Sequence, residues 1–327
     1  MHWPGQVKTC LDRKTLIRLR ADLYRQVRSY FQEQSVLEVE TPVLGRSGPT
    51  DLHLASMSLP SGSSQYYLQT SPEFFMKRLL AENSGDIFSI SRCFRDAEVG
   101  HRHNPEFSML EWYRCGFGLA DLMSDVEALV SRLLPHLTFS CHSYAEMFES
   151  CLGVNPHSAF DMDLLNLVKS NTKFQGDLGR ASCLDLLMSE CVEPELAGEG
   201  QAYFLFDFPV CQAAMAQTGE NEDMHLVARR FELYINGLEI GNGYLELTSA
   251  DEQRRRCQED NIARQSADLE SMPIDEKFIK ALDQMPDCSG VAIGLDRLLW
   301  LIAREKRLVK SSQVDLGEVL LFPWCSL

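Results

Sequence analysis

Residues 88–95 read Phe-Ser-Ile-Ser-Arg-Cys-Phe-Arg, and residues 103–113 read His-Asn-Pro-Glu-Phe-Ser-Met-Leu-Glu-Trp-Tyr. Two alternating runs joined by a polar loop of Arg, His and Asn predict a β-hairpin that aims cations inward while its carboxylates share one floor. Such a hairpin suits an acyl phosphate. Far along the chain, residues 289–298 read Ser-Gly-Val-Ala-Ile-Gly-Leu-Asp-Arg-Leu. Small residues at alternate strand positions leave a flat floor over which Arg297 can cover a purine or a phosphate. The bland reading of the same glycines is close packing of strand on helix. Arg95 has its own bland reading, a surface ion pair. Met109 and Trp112 read as core, and His101 as an exposed loop histidine.

The chain has 327 residues, 45% hydrophobic and 24% charged, which predicts one large globular domain or two smaller ones. No apolar run approaches the ~18 residues that span a bilayer, and Met1-His2-Trp3-Pro4-Gly5 lacks the layout of a signal peptide, so a cytoplasmic protein without membrane contact is expected. Eleven cysteines without a C-x-x-C pair point to reduced thiols. Cys93 and Cys288 read as packing residues. A formal charge of −16 argues against non-specific nucleic-acid binding. The excess acid either serves a cationic substrate or keeps the surface solvated.

Leu16, Leu19, Leu23, Val27, Tyr30 and Phe31 recur at helical steps, predicting a helix over 15 to about 34. Residues 36–44 read as a strand, with Pro42 at an edge or strand end. Helix and edge strand together could pair with a second copy, or be ordinary periphery. A strand over 66–69 feeds Thr70-Ser71-Pro72-Glu73 and then a helix; Ser71 at the cap with Pro72 behind it suffices as helix-start chemistry, and Glu73 then merely complements the dipole. Short amphipathic stretches over about 140–200 read as a helical insertion. Asn236-Gly237 between alternating runs predicts a hairpin, and Gly241 and Gly243 suggest a bulge or a ligand close to the backbone. Ser249 and Glu252 form the pattern of a capping box for a helix over about 251–270. Glu232, Glu239 and Glu246 lie seven apart. Two of them could hold Mg²⁺ against a triphosphate while the third faces an ammonium, or all three are solvated strand residues; only the turn and a bulge can bring them to one face.

In this order the blocks resemble the catalytic core of class II aminoacyl-tRNA synthetases of the lysyl type. Residues 36–44, ending in Glu40-Thr41-Pro42, are similar to motif one. Phe94-Arg95 through Glu111-Trp112-Tyr113 is similar to motif two, and residues 290–298 to motif three. The resemblance runs from about Thr15 to Pro323. It implies an α+β fold, an antiparallel sheet flanked by helices, in a single catalytic domain with no anticodon-binding domain. It is closest to the short lysyl-type paralogues that attach (R)-β-lysine to a lysine of elongation factor P, using ATP and Mg²⁺ and acting as homodimers, with tRNA not expected as partner.

The resemblance implies that Arg95 meets the substrate carboxylate and α-phosphate and that Phe107 and Arg297 sandwich adenine. Asn104, Asp96, Glu98, Ile240 and Gly294 are implied on the nucleotide, and Glu232 and Glu239 on Mg²⁺. Ser71, Pro72, Glu73, Glu111, Tyr113, Glu246 and Ala292 are implied around the diamine. Two positions depart from the pattern. The adenine-contacting glutamate of motif two is Ala97, with Glu98 following, and Ala292 stands where lysyl synthetases carry Gly. One methyl against a snug substrate shifts selectivity by about 1 to 3 kcal/mol. Two rival readings share these residues: a synthetase that charges tRNA without anticodon contact, and an inactive paralogue that senses an amino acid.

Overall fold

The computed structural model describes residues 12–309, 311 and 313–324; residues 1–5, read above for a leader, lie outside them. The chain forms two compact units, one from its two ends, up to Gly116 and from Leu247 onward, and one from Phe117–Glu246.

In the first unit, α1 (Arg13–Glu33) buries the six apolar residues picked out by periodicity. Asp12 caps it by accepting from Thr15 N at 3.0 Å. Its apolar stripe lies on the sheet: the Phe31 ring stacks on Phe88 at 4.4 Å and meets Trp112 edge-on at 5.2 Å. The strand expected over 36–44 is two pieces, β1 (Leu37–Glu38) and β2 (Leu44–Gly45), in different sheets. Val39 N still donates to Phe88 O at 2.8 Å. Pro42 then removes a donor, and the chain crosses to the second sheet. There β2 pairs with β4 (Ser64–Leu68), which pairs with β3 (Ser58–Ser61). After α2 (Glu73–Ala81), β5 (Ile87–Phe94) and β6 (Glu106–Cys115) form the predicted hairpin, in register from Ile87↔Tyr113 to Phe94↔Glu106. Leu110 and Trp112 point into the core, with Cys93 fully buried and its thiol pushed up by that burial.

The second unit contains α3 (Leu119–Leu133), β7 (Thr138–Ser143), α4 (Tyr144–Leu152), α5 (Asp161–Asn171), α6 (Arg180–Leu187), β8 (Gln201–Pro209), β9 (Thr218–Glu220), β10 (Leu226–Ile235) and β11 (Leu238–Leu245). Its strand order is β11-β10-β8-β7, with β9 beside β10. Only β7 and β8 run parallel within it. Tyr144, Phe148, Leu164, Val168 and Leu187 from α4 to α6 pack with Leu205 and Phe208 into one core. Asn236 and Gly237 both take positive φ, 53° and 69°, as the hairpin turn requires. The register steps from Leu233↔Gly241 to Tyr234↔Glu239, so Ile240 is the extra residue of a bulge. A Cβ on Gly243 would stand 2.5 Å from the Phe231 ring. That glycine therefore makes room for a core ring, not for a ligand.

Back in the first unit, α7 (Ala250–Ser266) starts with half a capping box. Ser249 Oγ accepts from Glu252 N at 3.3 Å, but the Glu252 carboxylate turns to Arg255 and Arg256, whose hydrogen bonds hold its pKa at about 2. Then come α8 (Glu276–Leu282), β12 (Cys288–Gly294) and α9 (Leu295–Glu305). β12 runs antiparallel to β6, from Cys288↔Cys115 to Gly294↔Met109, giving the order β1-β5-β6-β12 in this unit, with β1 parallel to β5. The fold is α+β with mainly antiparallel strands. Among the described residues no helix is long and apolar enough to cross a membrane.

Where the β6–β12 ladder ends, Asp296 on α9 continues it. Its Oδ2 accepts the buried Ser108 N–H at 2.7 Å and its Oδ1 meets Arg20 of α1 at 2.6 Å. Arg20 also donates to Val319 O at 3.2 Å. Removing the carboxylate would strand a mostly buried guanidinium and a backbone donor together. Asp296→Ala is expected to lower unfolding free energy by about 3 to 5 kcal/mol, measured by urea denaturation.

Candidate active site

The antiparallel register sets the floor of the first unit's site. Ser89, Glu111 and Ala292 stand directly opposite one another on β5, β6 and β12, so their side chains share a face. Glu111 is 2% exposed, between two small neighbours. Its carboxylate accepts from Ser71 Oγ at 2.7 Å on one oxygen and from Tyr113 OH at 2.8 Å on the other. Ser71 Oγ in turn accepts from Glu73 N at 3.0 Å. Pro72, the residue between them, takes helical φ and occupies the cap position of α2. Ser71 thus stands one residue before the cap expected of it, yet its hydroxyl still satisfies the first helical N–H and also orients Glu111. The helix-start and functional readings of this segment are one geometry.

Glu73 has a partner that periodicity did not single out. Lys77 Nζ lies 2.6 Å from Glu73 Oε1, at ion-pair distance though outside hydrogen-bond angles. The Lys77 side chain is fully buried. On the sequence it is one charge in an amphipathic helix; only the (i, i+4) spacing after Glu73 signals the pair.

The hairpin loop holds the anion-binding candidates. Arg95 N donates to Pro105 O at 2.9 Å, extending the ladder by one bond and fixing where the guanidinium starts. Arg95 Cζ lies 5.0 Å from the Phe107 ring centroid, a cation–π contact, and Glu98 stands 3.6 Å away. Its Nε is buried with no hydrogen-bond partner, a donor available to an anion. Asp96 Oδ1 accepts from Ala97 N at 2.8 Å, and Ala97 takes a left-handed φ of 61°. That turn brings Glu98, one residue past the usual motif-two position, to Arg95. Asn104 braces the loop, donating to Glu106 O at 2.6 Å and accepting from Trp324 N at 3.0 Å. Arg297, on the first turn of α9, has a guanidinium nitrogen 2.9 Å from His103 Nε2. The cation now over Phe107 is thus Arg95, while Arg297 is held against the loop histidine. A Cβ built on Gly294 would meet the Arg297 side chain first, at 3.6 Å.

The second unit carries the other carboxylates. None is a freely solvated strand residue: Glu232 is 13% and Glu246 1% exposed, and Glu239 is half-buried. Arg230 pairs with Glu232, which also accepts from Tyr234 OH at 2.5 Å. Burial pushes the Glu232 carboxyl up to about 7; Arg230 opposes the rise and the Glu239 charge adds to it. The bulge at Ile240 sets Glu239 opposite Tyr234, on the face of Glu232. Two carboxylates on one face are a donor set that Mg²⁺ can take, once both are ionised, when phosphates and water complete its shell. Glu246 sits at a bridge to Ala216, its carbonyl accepting from Gln217 Nε2 at 3.0 Å. Arg230 and Tyr234, which hold Glu232, carried no signal in the sequence beyond strand alternation.

A family model described as tRNA synthetases class II (D, K and N) matches residues 11–325. The chain belongs to this family. Curated relatives named elongation factor P--(R)-beta-lysine ligase match nearly end to end. That of Haemophilus influenzae (strain PittGG) is 43% identical over 308 residues, 92% of this chain and 93% of the relative. Those of Sodalis glossinidius and Proteus mirabilis are 41% and 40% identical, covering 91% and 93% of the relatives and 88% and 93% of this chain. The segments expected as motifs two and three fold as β5–β6 and as β12–α9. The Ser71 hydroxyl is the test of the first unit's network. Ser71→Ala is expected to weaken binding of a diamine such as lysine by about ten-fold, the value of one hydrogen bond to a buried carboxylate, measured by titration calorimetry.

Proposed function

We propose that the chain activates (R)-β-lysine with ATP as an aminoacyl adenylate and transfers it to a lysine of elongation factor P. The observation that carries this reading is Glu111: a buried carboxylate held by two neutral hydroxyls, with Ala292 directly opposite, in a chain whose near full-length relatives bear that ligase name. Such a carboxylate is stabilised by a cation and would be costly to bury beside an apolar guest. In the first half-reaction a carboxylate oxygen bonds to the α-phosphorus as the bond to the leaving pyrophosphate breaks. In the second, the ε-amine of the acceptor lysine bonds to the acyl carbon, AMP leaves, and the amine proton passes to solvent.

In this proposal Arg95, with its unsatisfied Nε, receives the reacting carboxylate and α-phosphate and offsets charge as the phosphorus becomes pentacoordinate. Phe107 offers a face to adenine, and Arg297 the second cation. Asp96 and Glu98 shape the loop that carries Arg95; Asn104 braces it; Gly294 and Ile240 line the nucleotide. Glu232 and Glu239 would hold Mg²⁺, which supplies charge neutralisation at the phosphates. Glu73, Glu111, Tyr113 and Glu246, with Ser71 and Pro72, would receive the two ammonium groups. The chain would work as a homodimer in the cytoplasm, where translation factors act. Charging of tRNA and amino-acid sensing without catalysis are not favoured, since relatives along the whole length are named as protein ligases.

ATP–pyrophosphate exchange across lysine isomers, followed by mass measurement of purified elongation factor P, tests the reading. No exchange with any isomer refutes it. Arg95→Ala is expected to cut exchange by at least about 100-fold while leaving the thermal midpoint near that of the parent. Ala292→Gly is expected to shift the exchange preference toward α-lysine by about 10-fold or more; an unchanged ratio in direct competition refutes the methyl argument.

A further inference from the structure

Lys77 is a fully buried lysine on the helix that carries Glu73. Lysine is almost never fully buried unless paired, and replacing a buried ion pair by apolar side chains is commonly neutral or stabilising. The rest of α2's buried face is Met76 and Leu80, and its neighbour Phe74 stacks on Phe278 of α8 at 4.3 Å. Apolar residues at both 73 and 77 would complete that face at no greater cost. Stability therefore does not explain the charge, and its position does: its ammonium lies 2.6 Å from Oε1 of Glu73, two residues from the hydroxyl that also holds Glu111.

We propose that Lys77 is a positioning residue for the amino-acid site, holding Glu73 by Oε1 so that Oε2 is presented to a substrate ammonium. Three constraints then fix the Glu73 carboxylate: the helix turn, the Ser71 hydroxyl on its backbone N–H, and the buried ammonium on one oxygen. A glutamate otherwise has three rotatable bonds, and ordering it when the ligand arrives would cost affinity. The internal cation also offsets one negative charge in a region already rich in carboxylates. The pair makes this pocket wall selective for a cation at one defined place rather than for positive charge in general.

The inference rests on the amino-acid site proposed above, and its test reads binding rather than turnover. Calorimetric titration of (R)-β-lysine and of lysine, without ATP, would compare the parent, Lys77→Met, Glu73→Gln and the double variant. Lys77→Met is expected to weaken binding at least about ten-fold, the scale of loss for a displaced contact group. In the Glu73→Gln background the same change is expected to alter it less than about three-fold, because the group Lys77 acts through is already gone. The double variant removes both members of the Lys77–Glu73 pair together, so its comparison with Glu73→Gln decides the matter even if Lys77→Met alone does not fold. Unchanged or tighter binding by Lys77→Met, or a further ten-fold loss in the Glu73→Gln background, overturns the proposal. A parent protein that binds neither diamine overturns it too. One that binds but exchanges no pyrophosphate overturns the activity alone and leaves Lys77 in place.

Discussion

A single carboxylate, Asp296, ties together the three segments that give the first unit its shape. β12 stops pairing at Gly294, and the N–H of Ser108 on β6 would be left unsatisfied where the chain turns into α9. Asp296 takes that N–H with one oxygen and the Arg20 guanidinium with the other, while Tyr24 OH reaches Ser108 Oγ at 3.1 Å. The helix that opens the described chain is thereby locked to the hairpin and to the helix bearing Arg297. Buried charge of this kind is tolerated because every member has a partner, and it leaves little freedom of register. Phe107 and Arg297 flank the junction in sequence, so the residues implied in nucleotide binding start from fixed backbone.

The same economy governs the acids. Between 117 and 246 the chain carries 20 Asp and Glu against 6 Lys and Arg, so nearly all of the net charge of −16 lies there. Such a surface repels a phosphate backbone and is suited to a protein or small cationic partner. Inside each unit the buried carboxylates are managed singly. Glu232 has Arg230 and Tyr234, Glu73 has Lys77, and Glu111 has two hydroxyls. Desolvation is costly for every one of them, and the hydrogen bonds that offset it also fix the direction in which each can meet a ligand.

Legibility followed the range of the forces involved. The helix over 13–33, the 87–115 hairpin and the Asn236-Gly237 turn rest on periodicity and on φ requirements of adjacent residues, and all three are present. The strand over 36–44 was misjudged as one because alternation does not say which sheet a segment joins, and Pro42 divided it. Gly243 was ambiguous for the same reason: the Phe231 ring that needs its space lies across a strand pair whose register is not local. Half the expected capping box was lost to Arg255 and Arg256, which compete for Glu252 with better geometry. At the site, Ser71, Glu111 and Tyr113 were legible through family resemblance and come together in one network. Lys77 and Arg230 were not, since a charged residue in an amphipathic element reads as solvated until the neighbours are known.

The sequence by itself determined where the chain turns, which faces are apolar, and, through three spaced motifs, which family of adenylate-forming enzymes it joins. Those properties depend on residues a few positions apart or on patterns a lineage retains. Only the tertiary structure decided that Lys77 is buried against Glu73, that Ala292 stands opposite Glu111, and that Arg95 rather than Arg297 covers Phe107. These are matters of register and distance, where a shift of one residue turns a side chain to the other face and a carboxylate's partner changes from water to a neighbouring cation.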